Sequence, residues 1–341
     1  MGAVLLTGAT GFVGTELLRR LLEDGDQPVH ALVRAPDDRA AAERLPAHPR
    51  LNVLAGDIER PGLGLSKPAR ARLTDEVTTV VHCAASISFD LSLEASRSVN
   101  VDGTRNILEL AERCPGLERI TYISTAYVAG EPPGLFREDQ LDVGQHFRNP
   151  YELSKFEAEQ MIRERAAHLP LQVLRPSIIV GDSRTGRTSS FNVLYGPLKA
   201  FAGGRIPAIP ARRSSPVDIV PVDYVADRAY ELVTDGPDGT FHVVAGRNAT
   251  TVGRLLELTA RHLKRKPPAV LPPGLYRRLA HPWLRRKYRG LRKLEVYFPY
   301  FSMRVRFDDQ GLGPGPPVER YFHRLVEFAQ RAGWGRVPSA M

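Results

Sequence analysis

The first half of the chain alternates short apolar runs with segments that repeat apolar residues at helical spacing. Apolar runs of strand length occur at 3–7, 29–33, 51–55, 79–83, 119–124 and 172–180. Helical spacing lies between them, most clearly at 14–23, 99–111 and 149–167. The runs AVLLT, TVVHC and VLRPSIIV are continuously apolar, as in strands that are covered on both faces. The pattern predicts βαβ units and hence an α/β fold of the Rossmann type, a doubly wound parallel sheet.

A glycine-rich turn joins the first predicted strand to the first predicted helix. Its sequence is TGATGFVG, residues 7–14. Glycines at such a turn let backbone N–H groups approach a diphosphate, and the helix N-terminus adds partial positive charge. We therefore predict a dinucleotide-binding loop, made of Thr7, Gly8, Thr10, Gly11, Phe12, Val13 and Gly14.

The residue at the end of the second predicted strand helps to distinguish an NAD site from an NADP site. Arg34 follows Gly14 by twenty residues, where an NAD site carries an acidic residue for the ribose 2′-hydroxyl. An arginine there pairs with a 2′-phosphate, which favours NADPH as the cofactor. Asp57, with Ile58 beside it, follows the third strand and is expected to face the adenine. The alternatives are a solvent-facing Arg34 and a plain turn at Asp57.

Tyr151 and Lys155 stand one helical turn apart at the start of the predicted helix 149–167. Asn149 is a plausible N-cap for this helix, and Pro150 falls in its first turn. A nearby cation and the positive end of the helix both stabilise a phenolate, so we expect a lowered pKa for Tyr151. A second pair, Tyr195 and Lys199, has the same spacing, but Pro197 lies between them and the pair follows the sixth strand.

A hydroxyl at the end of the fifth predicted strand completes this constellation. Ser124 and Thr125 both lie there, 27 and 26 residues before Tyr151. Either hydroxyl is able to share a substrate oxygen with the tyrosine. His82 and Cys83, at the end of the fourth strand, are expected to be core side chains.

The motifs together resemble the extended short-chain dehydrogenases/reductases. TGATGFVG, HCAAS, NVDGT, STAYVAG, YELSK and LRPSIIVG occur in the order typical of that superfamily, over roughly residues 1–245. Within it, the chain looks most like thioester reductases and fatty acyl-CoA reductases, the male-sterility-type proteins. ISTAYV, LRPSIIVGDSRTG and FNVLYGPLKAF carry that closer similarity.

This resemblance implies a role for each matching residue. Thr125, Tyr151 and Lys155 are the expected catalytic residues, with Tyr151 as the proton donor; Tyr151 and Lys155 also contact the cofactor. Asn100 is expected either to support the Lys155 network through water or only to pack its helix. The remaining cofactor contacts implied in this way are Ala84, Ala85, Pro176, Ser177 and Ile178.

We predict two domains. The regular alternation ends near residue 182, after which Gly, Pro, Ser and Arg become frequent. The NADP-binding Rossmann domain is expected over 1–182 together with about 215–245. A smaller C-terminal substrate-binding subdomain is expected over 183–214 and 246–341.

The charge of the chain is concentrated in one segment. Of 341 residues, 47 are Lys or Arg and 38 are Asp or Glu, a net charge of +9. Residues 261–306, here called the basic segment, contain fourteen Lys/Arg and a single acid, Glu295, so the rest of the chain sums to −4. A basic surface of this kind suits an acidic acyl carrier protein or the phosphates of CoA.

The basic segment also allows other interpretations. It is equally well explained as a solvated surface, and Leu279, Trp283 and Leu291 between the charges are typical of a peripheral membrane contact. Prolines at 267, 268, 272, 273 and 282 are expected to interrupt any long amphipathic helix. We expect no nucleic-acid partner, because no motif of that class accompanies the charge.

The expected activity is NADPH-dependent reduction of an acyl thioester, carried by CoA or an acyl carrier protein. The product is an aldehyde, or an alcohol if a second hydride transfer follows. The alternatives are an extended reductase acting on a hydroxy-ketone, sterol-like or nucleotide-sugar substrate, or a cofactor-sensing protein. The sequence contains only two cysteines, which favours a reducing compartment and no cysteine-rich metal site. It has no apolar run of membrane-spanning length and no signal-peptide pattern, so we expect a cytoplasmic protein.

Overall fold

The computed structural model describes residues 2–132, 134–191, 193–204, 207–287 and 292–335, without the side chains of 292 and 293. The chain forms two compact units. The first consists of Met1–Gly130, Glu138–Pro176 and Val225–Val243, and the second of Glu131–Arg137, Ser177–Tyr224 and Val244–Met341. Residues 131–137, 177–182, 215–224 and 244–245, which we predicted within the Rossmann domain, therefore group with the second unit.

The strands and helices are numbered in chain order. The strands are β1 Ala3–Thr7, β2 Val29–Val33, β3 Leu51–Ala55, β4 Val77–His82, β5 Arg119–Ile123, β6 Gly134–Phe136, β7 Leu171–Pro176, β8 Ile178–Val180, β9 Ala208–Pro210, β10 Pro216–Val217, β11 Ile219–Pro221, β12 Gly239–Val243, β13 Thr250–Thr251, β14 Ala269–Leu271 and β15 Val305–Phe307. The helices are α1 Phe12–Glu23, α2 Asp38–Ala42, α3 Lys67–Glu76, α4 Leu93–Arg97, α5 Gly103–Ala111, α6 Pro150–Arg165, α7 Tyr195–Ala202, α8 Val222–Asp235, α9 Val252–Leu263, α10 Pro273–Leu275, α11 His281–Lys287, α12 Arg292–Glu295 and α13 Phe322–Arg331.

The first unit contains a parallel sheet in the order β12-β7-β5-β4-β1-β2-β3. The order reverses between β1 and β4, so that the loops at their carboxyl ends diverge and leave a crevice. This confirms the predicted α/β fold with a Rossmann-type doubly wound sheet. The predicted strands 3–7, 29–33 and 51–55 coincide with β1, β2 and β3.

The predicted strand 172–180 is two strands in the structure. β7 ends at Pro176 and pairs with β5 and β12, whereas β8 pairs with β11 of the second unit. Proline has no N–H to continue a ladder, so the chain changes its pairing there. The backbone N–H of Ile178 then donates to the carbonyl of Asp218, 3.3 Å away.

Each unit has its own apolar core. In the first, side chains of β1, β4 and β5 pack against α3, α5 and α6. Leu5, Val80 and Ile120 of the strands and Leu108 of α5 are fully buried there. In the second, α13 buries Phe322, Leu325, Val326 and Ala329 among residues of β8, α7 and β11. No helix of the described residues is long and apolar enough to cross a membrane.

Candidate active site

The start of α6 presents three polar side chains at one-turn intervals. Asn149 caps the helix by accepting a hydrogen bond from the N–H of Glu152 at 3.0 Å, and Pro150 occupies the first turn. Tyr151, Lys155 and Glu159 then follow at spacings of four residues and therefore share one side of the helix. The contacts below place that side against the carboxyl ends of β4, β5 and β7.

The phenol of Tyr151 lies beside the side chain of Thr125. Burial raises the pKa of Tyr151 to about 12, the Thr125 side chain acts in the opposite direction, and the Glu152 carboxylate adds to the rise. This differs from the lowered pKa that we expected from Lys155, because desolvation dominates. Tyr151 is therefore a protonated phenol at neutral pH.

The two hydroxyls at the end of β5 have separate partners. Thr125 lies beside Tyr151, and its Oγ1 donates to the carbonyl of Pro176 at 3.4 Å and accepts from the N–H of Tyr127 at 3.3 Å. Ser124 instead donates to Oε2 of Glu159 at 2.5 Å. The structure thus brings Thr125, and not Ser124, together with the predicted proton donor.

Glu159 anchors a buried ion pair that the sequence analysis missed. Its carboxylate accepts from the Arg175 guanidinium at 2.6 to 3.2 Å and from Arg163 at 2.8 Å, and both Glu159 and Arg175 are fully buried. Burial alone would raise the pKa of Glu159, but these arginines and Ser124 hold it below its ordinary value. Two features of the sequence could have indicated this ion pair: an acidic residue four positions after Lys155, and an arginine within an apolar strand.

Lys155 is buried beside the fifth strand. Its Nζ donates to the hydroxyl of Tyr122 at 2.7 Å and to the carbonyl of Ile123 at 2.8 Å. Burial lowers the pKa of Lys155 to about 7, while the nearby Glu159 and Cys83 act in the opposite direction. Tyr122 is a second residue that the sequence analysis missed, because it looked like an ordinary apolar strand position.

The glycine loop has the backbone geometry of a diphosphate cradle. Gly8 adopts φ +73°, and a Cβ added to it would lie 2.7 Å from the backbone nitrogen of Ala84. A Cβ on Gly14 would lie 2.0 Å from the carbonyl oxygen of Gly8, so both positions require glycine. α1 begins at Phe12, and its N-cap, Gly11, offers no side chain to its first N–H groups. These N–H groups fit an anionic dinucleotide.

The other predicted loop residues have distinct surroundings. Thr7 turns its hydroxyl into the core, where it contacts Nδ1 of His82 at 2.7 Å and the N–H of Ala84 at 3.2 Å. Thr10 is exposed at the tip of the turn, and Val13 is half-buried in the first turn of α1.

Two arginines lie at the carboxyl edge of β2. The Arg34 side chain is 76% exposed and its Nη1 lies 3.5 Å from Oε1 of Glu59. Arg44, which the sequence analysis did not single out, donates to the carbonyl of Arg34 at 2.7 Å and to Oγ1 of Thr10 at 3.4 Å. A guanidinium therefore contacts the glycine loop itself, beside the predicted position of a 2′-phosphate.

Asp57 and Ile58 form the turn after β3. The Asp57 carboxylate accepts from the N–H of Glu59 at 3.1 Å, as in a local turn. Ile58 packs against Gly103, where an added Cβ would lie 2.8 Å from its Cδ1. Their contact with an adenine stays a prediction.

The loop after β4 is tied to α6 through Asn100. The Asn100 side chain accepts from the N–H of Ser86 at 2.8 Å and donates to Oγ of Ser154 at 2.9 Å. Ala84 and Ala85, predicted to line the cofactor, are half-buried immediately before Ser86. Asn100 thus positions the loop after β4.

The remaining predicted residues fall into two groups. Pro176 ends β7 in the first unit, whereas Ser177 and Ile178 begin the second unit, and Ser177 is buried there. Within that unit the alternative pair does not form a site of its own: the Tyr195 hydroxyl accepts from the N–H of Gly181 at 3.0 Å, and Lys199 donates to the carbonyl of Trp334 at 3.3 Å.

The basic segment belongs to the second unit. Arg289 and Leu291 lie outside the described residues, as do the side chains of Arg292 and Lys293. The other eleven Lys/Arg of the segment are all exposed: Arg261, Lys264, Arg265, Lys266, Arg277, Arg278, Arg285, Arg286, Lys287, Arg304 and Arg306.

Residues 273–287 form one helical run, contrary to our expectation that prolines interrupt it. α10, a π-helical stretch over Tyr276–Ala280 and α11 follow one another directly. The wider π turn accommodates Pro282, which lacks the N–H of an α-helical ladder. Leu275, Leu279 and Trp283 are 44%, 64% and 56% exposed along this run, among the cations.

Comparison with known proteins identifies the family. The family model described as male sterility protein, an NAD-binding domain, matches residues 6–229. The chain is 23% identical to fatty acyl-CoA reductase 1 of Arabidopsis thaliana over 429 residues, covering 90% of this chain and 87% of that protein. It is 33% identical to isonitrile lipopeptide synthase of Streptomyces coeruleorubidus over 245 residues, covering 67% of this chain but only 16% of that protein.

A solved structure shows the same fold over nearly the full length. It is the terminal R domain from the myxalamid PKS-NRPS biosynthetic pathway, with a TM-score of 0.85, 26% identity, and coverage of 99% of this chain and 93% of that one. Together with the glycine loop and the Thr125–Tyr151–Lys155 constellation, these matches show that the chain belongs to the male sterility family of NAD-binding domains, among the extended short-chain dehydrogenases/reductases, and is an oxidoreductase.

Proposed function

We propose that the chain reduces an acyl thioester with NADPH, releasing an aldehyde and a free thiol. The observation that carries this proposal is the juxtaposition of Thr125, just after β5, with Tyr151 of α6, one helical turn from the buried Lys155. Relatives named fatty acyl-CoA reductase and the R domain of the myxalamid pathway support the thioester as the substrate class.

The residues of the chain divide the chemistry between them. When bound, a reduced nicotinamide supplies the hydride for the thioester carbonyl carbon. Thr125 and Tyr151 donate hydrogen bonds to the carbonyl oxygen, and Tyr151 transfers its proton to that oxygen as negative charge develops. Cleavage of the C–S bond in the resulting hemithioacetal then releases the aldehyde and the thiol. A second round of reduction converts the aldehyde to an alcohol.

Lys155 and the glycine loop bind the cofactor in this proposal. The Lys155 ammonium holds the nicotinamide ribose, and the N–H groups at the start of α1 hold the diphosphate. Arg34 and Arg44 are placed at the edge of β2 to pair with a 2′-phosphate, which favours NADPH over NADH.

We also propose that an acidic acyl carrier protein delivers the thioester by docking on the basic segment. The helical run 273–287 combines five exposed cations with the exposed Leu275, Leu279 and Trp283, and no acidic residue. An apolar row rimmed by cations complements a partner whose surface is acidic around an apolar patch.

A product assay tests the activity. Purified protein is incubated with NADPH and, in separate arms, an acyl-CoA, an acyl carrier protein thioester, a hydroxy-ketone and a nucleotide-sugar, and products are identified by mass spectrometry. We expect aldehyde or alcohol, and one equivalent of thiol, only in the thioester arms. Turnover of the hydroxy-ketone or nucleotide-sugar alone would replace the proposal with the alternative substrate class.

The cofactor preference is tested with Arg34→Ala and Arg44→Ala. Each loses a charge-assisted contact, so we expect NADPH affinity to fall about 10-fold or more while NADH affinity stays unchanged. Arg39→Ala, on the neighbouring α2 with a side chain 91% exposed, is the matched control. Equal losses for NADPH and NADH would contradict the assignment.

A further inference from the structure

Lys155 is the first member of a buried hydrogen-bond chain that crosses the sheet. Its Nζ donates to Oη of Tyr122 and also lies 4.2 Å from the centroid of the Tyr122 ring. Both side chains are at most 2% exposed. Because no water reaches this contact freely, the position of the ammonium depends on the protein atoms around it.

The direction of the next hydrogen bond follows from the donors available. The Thr104 side chain lies near the Tyr122 hydroxyl and counteracts the rise in its pKa, and Thr104 Oγ1 donates its own proton to the carbonyl of Asn100 at 2.6 Å. A hydroxyl has one proton and two lone pairs. Thr104 can therefore act only as an acceptor toward the Tyr122 proton, and the Tyr122 oxygen accepts from Lys155.

His82 closes the chain on the other side of Thr104. Its Nε2 lies 3.1 Å from Thr104 Oγ1, and since the threonine proton is already committed, Nε2 carries the hydrogen. Nδ1 then accepts from Thr7 Oγ1 at 2.7 Å, and Thr7 Oγ1 accepts from the N–H of Ala84 at 3.2 Å. Burial lowers the pKa of His82 to about 3, so the ring is neutral, as this assignment requires.

We propose that Tyr122 is a positioning residue for Lys155: its hydroxyl holds the lysine ammonium, and Thr104 and His82 hold that hydroxyl in turn. The ammonium has only donors, so the Tyr122 oxygen is an acceptor in this contact. The chain ends at Thr7, the last residue of β1 and the first of the glycine loop. Lys155 is thereby connected to both ends of the proposed cofactor site, and the inference rests on the role of Lys155 in the proposed function.

The surroundings of Lys155 determine how it titrates. Glu159, on the same helix, and Cys83, just after β4, both favour the ammonium form of Lys155. The neutral His82 and the phenols of Tyr122 and Tyr151 are further titratable groups near it. Burial nevertheless places the pKa of Lys155 at about 7. The loss of one oxygen acceptor destabilises the ammonium and moves its titration to lower pH.

The test replaces Tyr122 by phenylalanine, which retains the ring and removes the oxygen. We measure the NADPH dissociation constant by fluorescence from about pH 5.5 to about pH 9. In the wild type, affinity is expected to weaken as pH rises through about 7, because the ammonium is lost. In Tyr122→Phe the midpoint is expected about one pH unit lower, with affinity about tenfold weaker at pH 8 and unchanged near pH 5.5.

Tyr321→Phe is the matched control. Tyr321 is equally buried, at 1%, and its hydroxyl donates to the carbonyl of Ile219 at 3.2 Å in the second unit. We expect this variant to lose some stability while keeping the wild-type pH midpoint. A shift of the midpoint in Tyr321→Phe equal to that in Tyr122→Phe would show a general effect of destabilisation and would overturn the proposal.

Thr104→Val provides a second route if Tyr122→Phe does not fold. It leaves the Lys155–Tyr122 contact but removes the acceptor that orients the Tyr122 proton, so we expect a smaller shift in the same direction. Profiles that superimpose on the wild type would overturn the proposal. Because the readout is cofactor binding, the proposal is tested even if no thioester is reduced, and the product assay fails or succeeds separately.

Discussion

At the scale of single residues, the neighbours Ser124 and Thr125 serve different functions. Both residues follow β5. Ser124 meets Glu159, whereas Thr125, the N-cap of the turn Ala126–Ala129, meets Tyr151 two helical turns away on the same side of α6. The first contact stabilises the packing of α6 on β5. The second contact places a hydroxyl beside the proposed proton donor.

Substitution of each residue in turn distinguishes the roles of the two hydroxyls. Thr125→Val removes one donor to the developing oxyanion, so we expect kcat to fall by about 10². Ser124→Ala removes a hydrogen bond to a buried carboxylate, so we expect a lower free energy of unfolding with kcat changed only a few-fold. Steady-state kinetics and denaturant unfolding of both variants measure this. The opposite pattern would assign the catalytic hydroxyl to Ser124.

Tyr151→Phe tests the proton donor directly. The phenylalanine ring preserves packing but has no proton to transfer, so we expect kcat to fall by about 10² to 10⁴. NADPH affinity is expected to change little, because Lys155 keeps its contacts with Tyr122 and Ile123. Single-turnover absorbance of the nicotinamide and a binding titration provide the two values. Retained turnover would exclude Tyr151 as the donor.

At the scale of secondary structure elements, α6 organises the site because one of its sides carries Tyr151, Lys155 and Glu159. Glu159 connects the helix to β5 through Ser124 and to β7 through Arg175. The carbonyl of Pro176, next to Arg175, accepts the hydrogen bond from Thr125. The buried ion pair therefore positions the strand end that accepts the hydrogen bond from Thr125, the proposed catalytic hydroxyl.

Glu159→Gln is expected to be strongly destabilising. It leaves the fully buried guanidinium of Arg175 without its carboxylate, which costs about 3–5 kcal/mol in comparable buried pairs. Glu157→Gln, on the same helix but paired with the half-exposed Arg97, is the control and is expected to alter stability little. Urea unfolding of the two variants is the measurement, and equal effects would contradict the structural role of Glu159.

At the scale of the whole molecule, charge and chemistry occupy different parts of the chain. The proposed catalytic residues lie in the first unit, whereas the excess of positive charge lies in the basic segment of the second. The alternatives that the sequence left open for that segment, a carrier protein, a membrane or solvent, differ in what salt and charge reversal do to catalysis.

Charge reversal on the helical run 273–287 tests carrier docking. For the double variant Arg277→Glu/Arg278→Glu, we expect KM for a carrier-bound thioester to rise about tenfold or more, since it loses electrostatic complementarity. KM for an uncharged pantetheine thioester is expected to stay unchanged. Arg39→Glu, a similarly exposed arginine of the first unit, serves as the control.

Salt and vesicles distinguish the remaining interpretations. High salt is expected to weaken the carrier-bound reaction of the wild type and to leave the double variant unaffected. If the double variant instead loses binding to anionic vesicles while its kinetics with carrier-bound substrate are unchanged, the basic segment is a membrane contact and the docking proposal is wrong.

The sequence alone determined the architecture of the first unit and the proposed chemical groups. β1, β2 and β3 coincide with the predicted strands to the residue, because each is a short run rich in apolar residues, a local pattern typical of a strand. The glycine loop and the Tyr151–Lys155 spacing were also visible, because each is a local arrangement within a few residues of the chain.

Only the tertiary structure decided which side chains meet across elements. Four contacts show this: Thr125 with Tyr151, Ser124 with Glu159, Tyr122 with Lys155, and Arg44 with Thr10 of the glycine loop. Each joins residues that are 26 to 35 positions apart in the sequence. Such contacts depend on strand order, on the face that each strand turns to its helix, and on how much burial alters a pKa. The hydrophobic periodicity of the sequence does not indicate strand order, strand orientation or burial, because these are set only when the elements pack against one another.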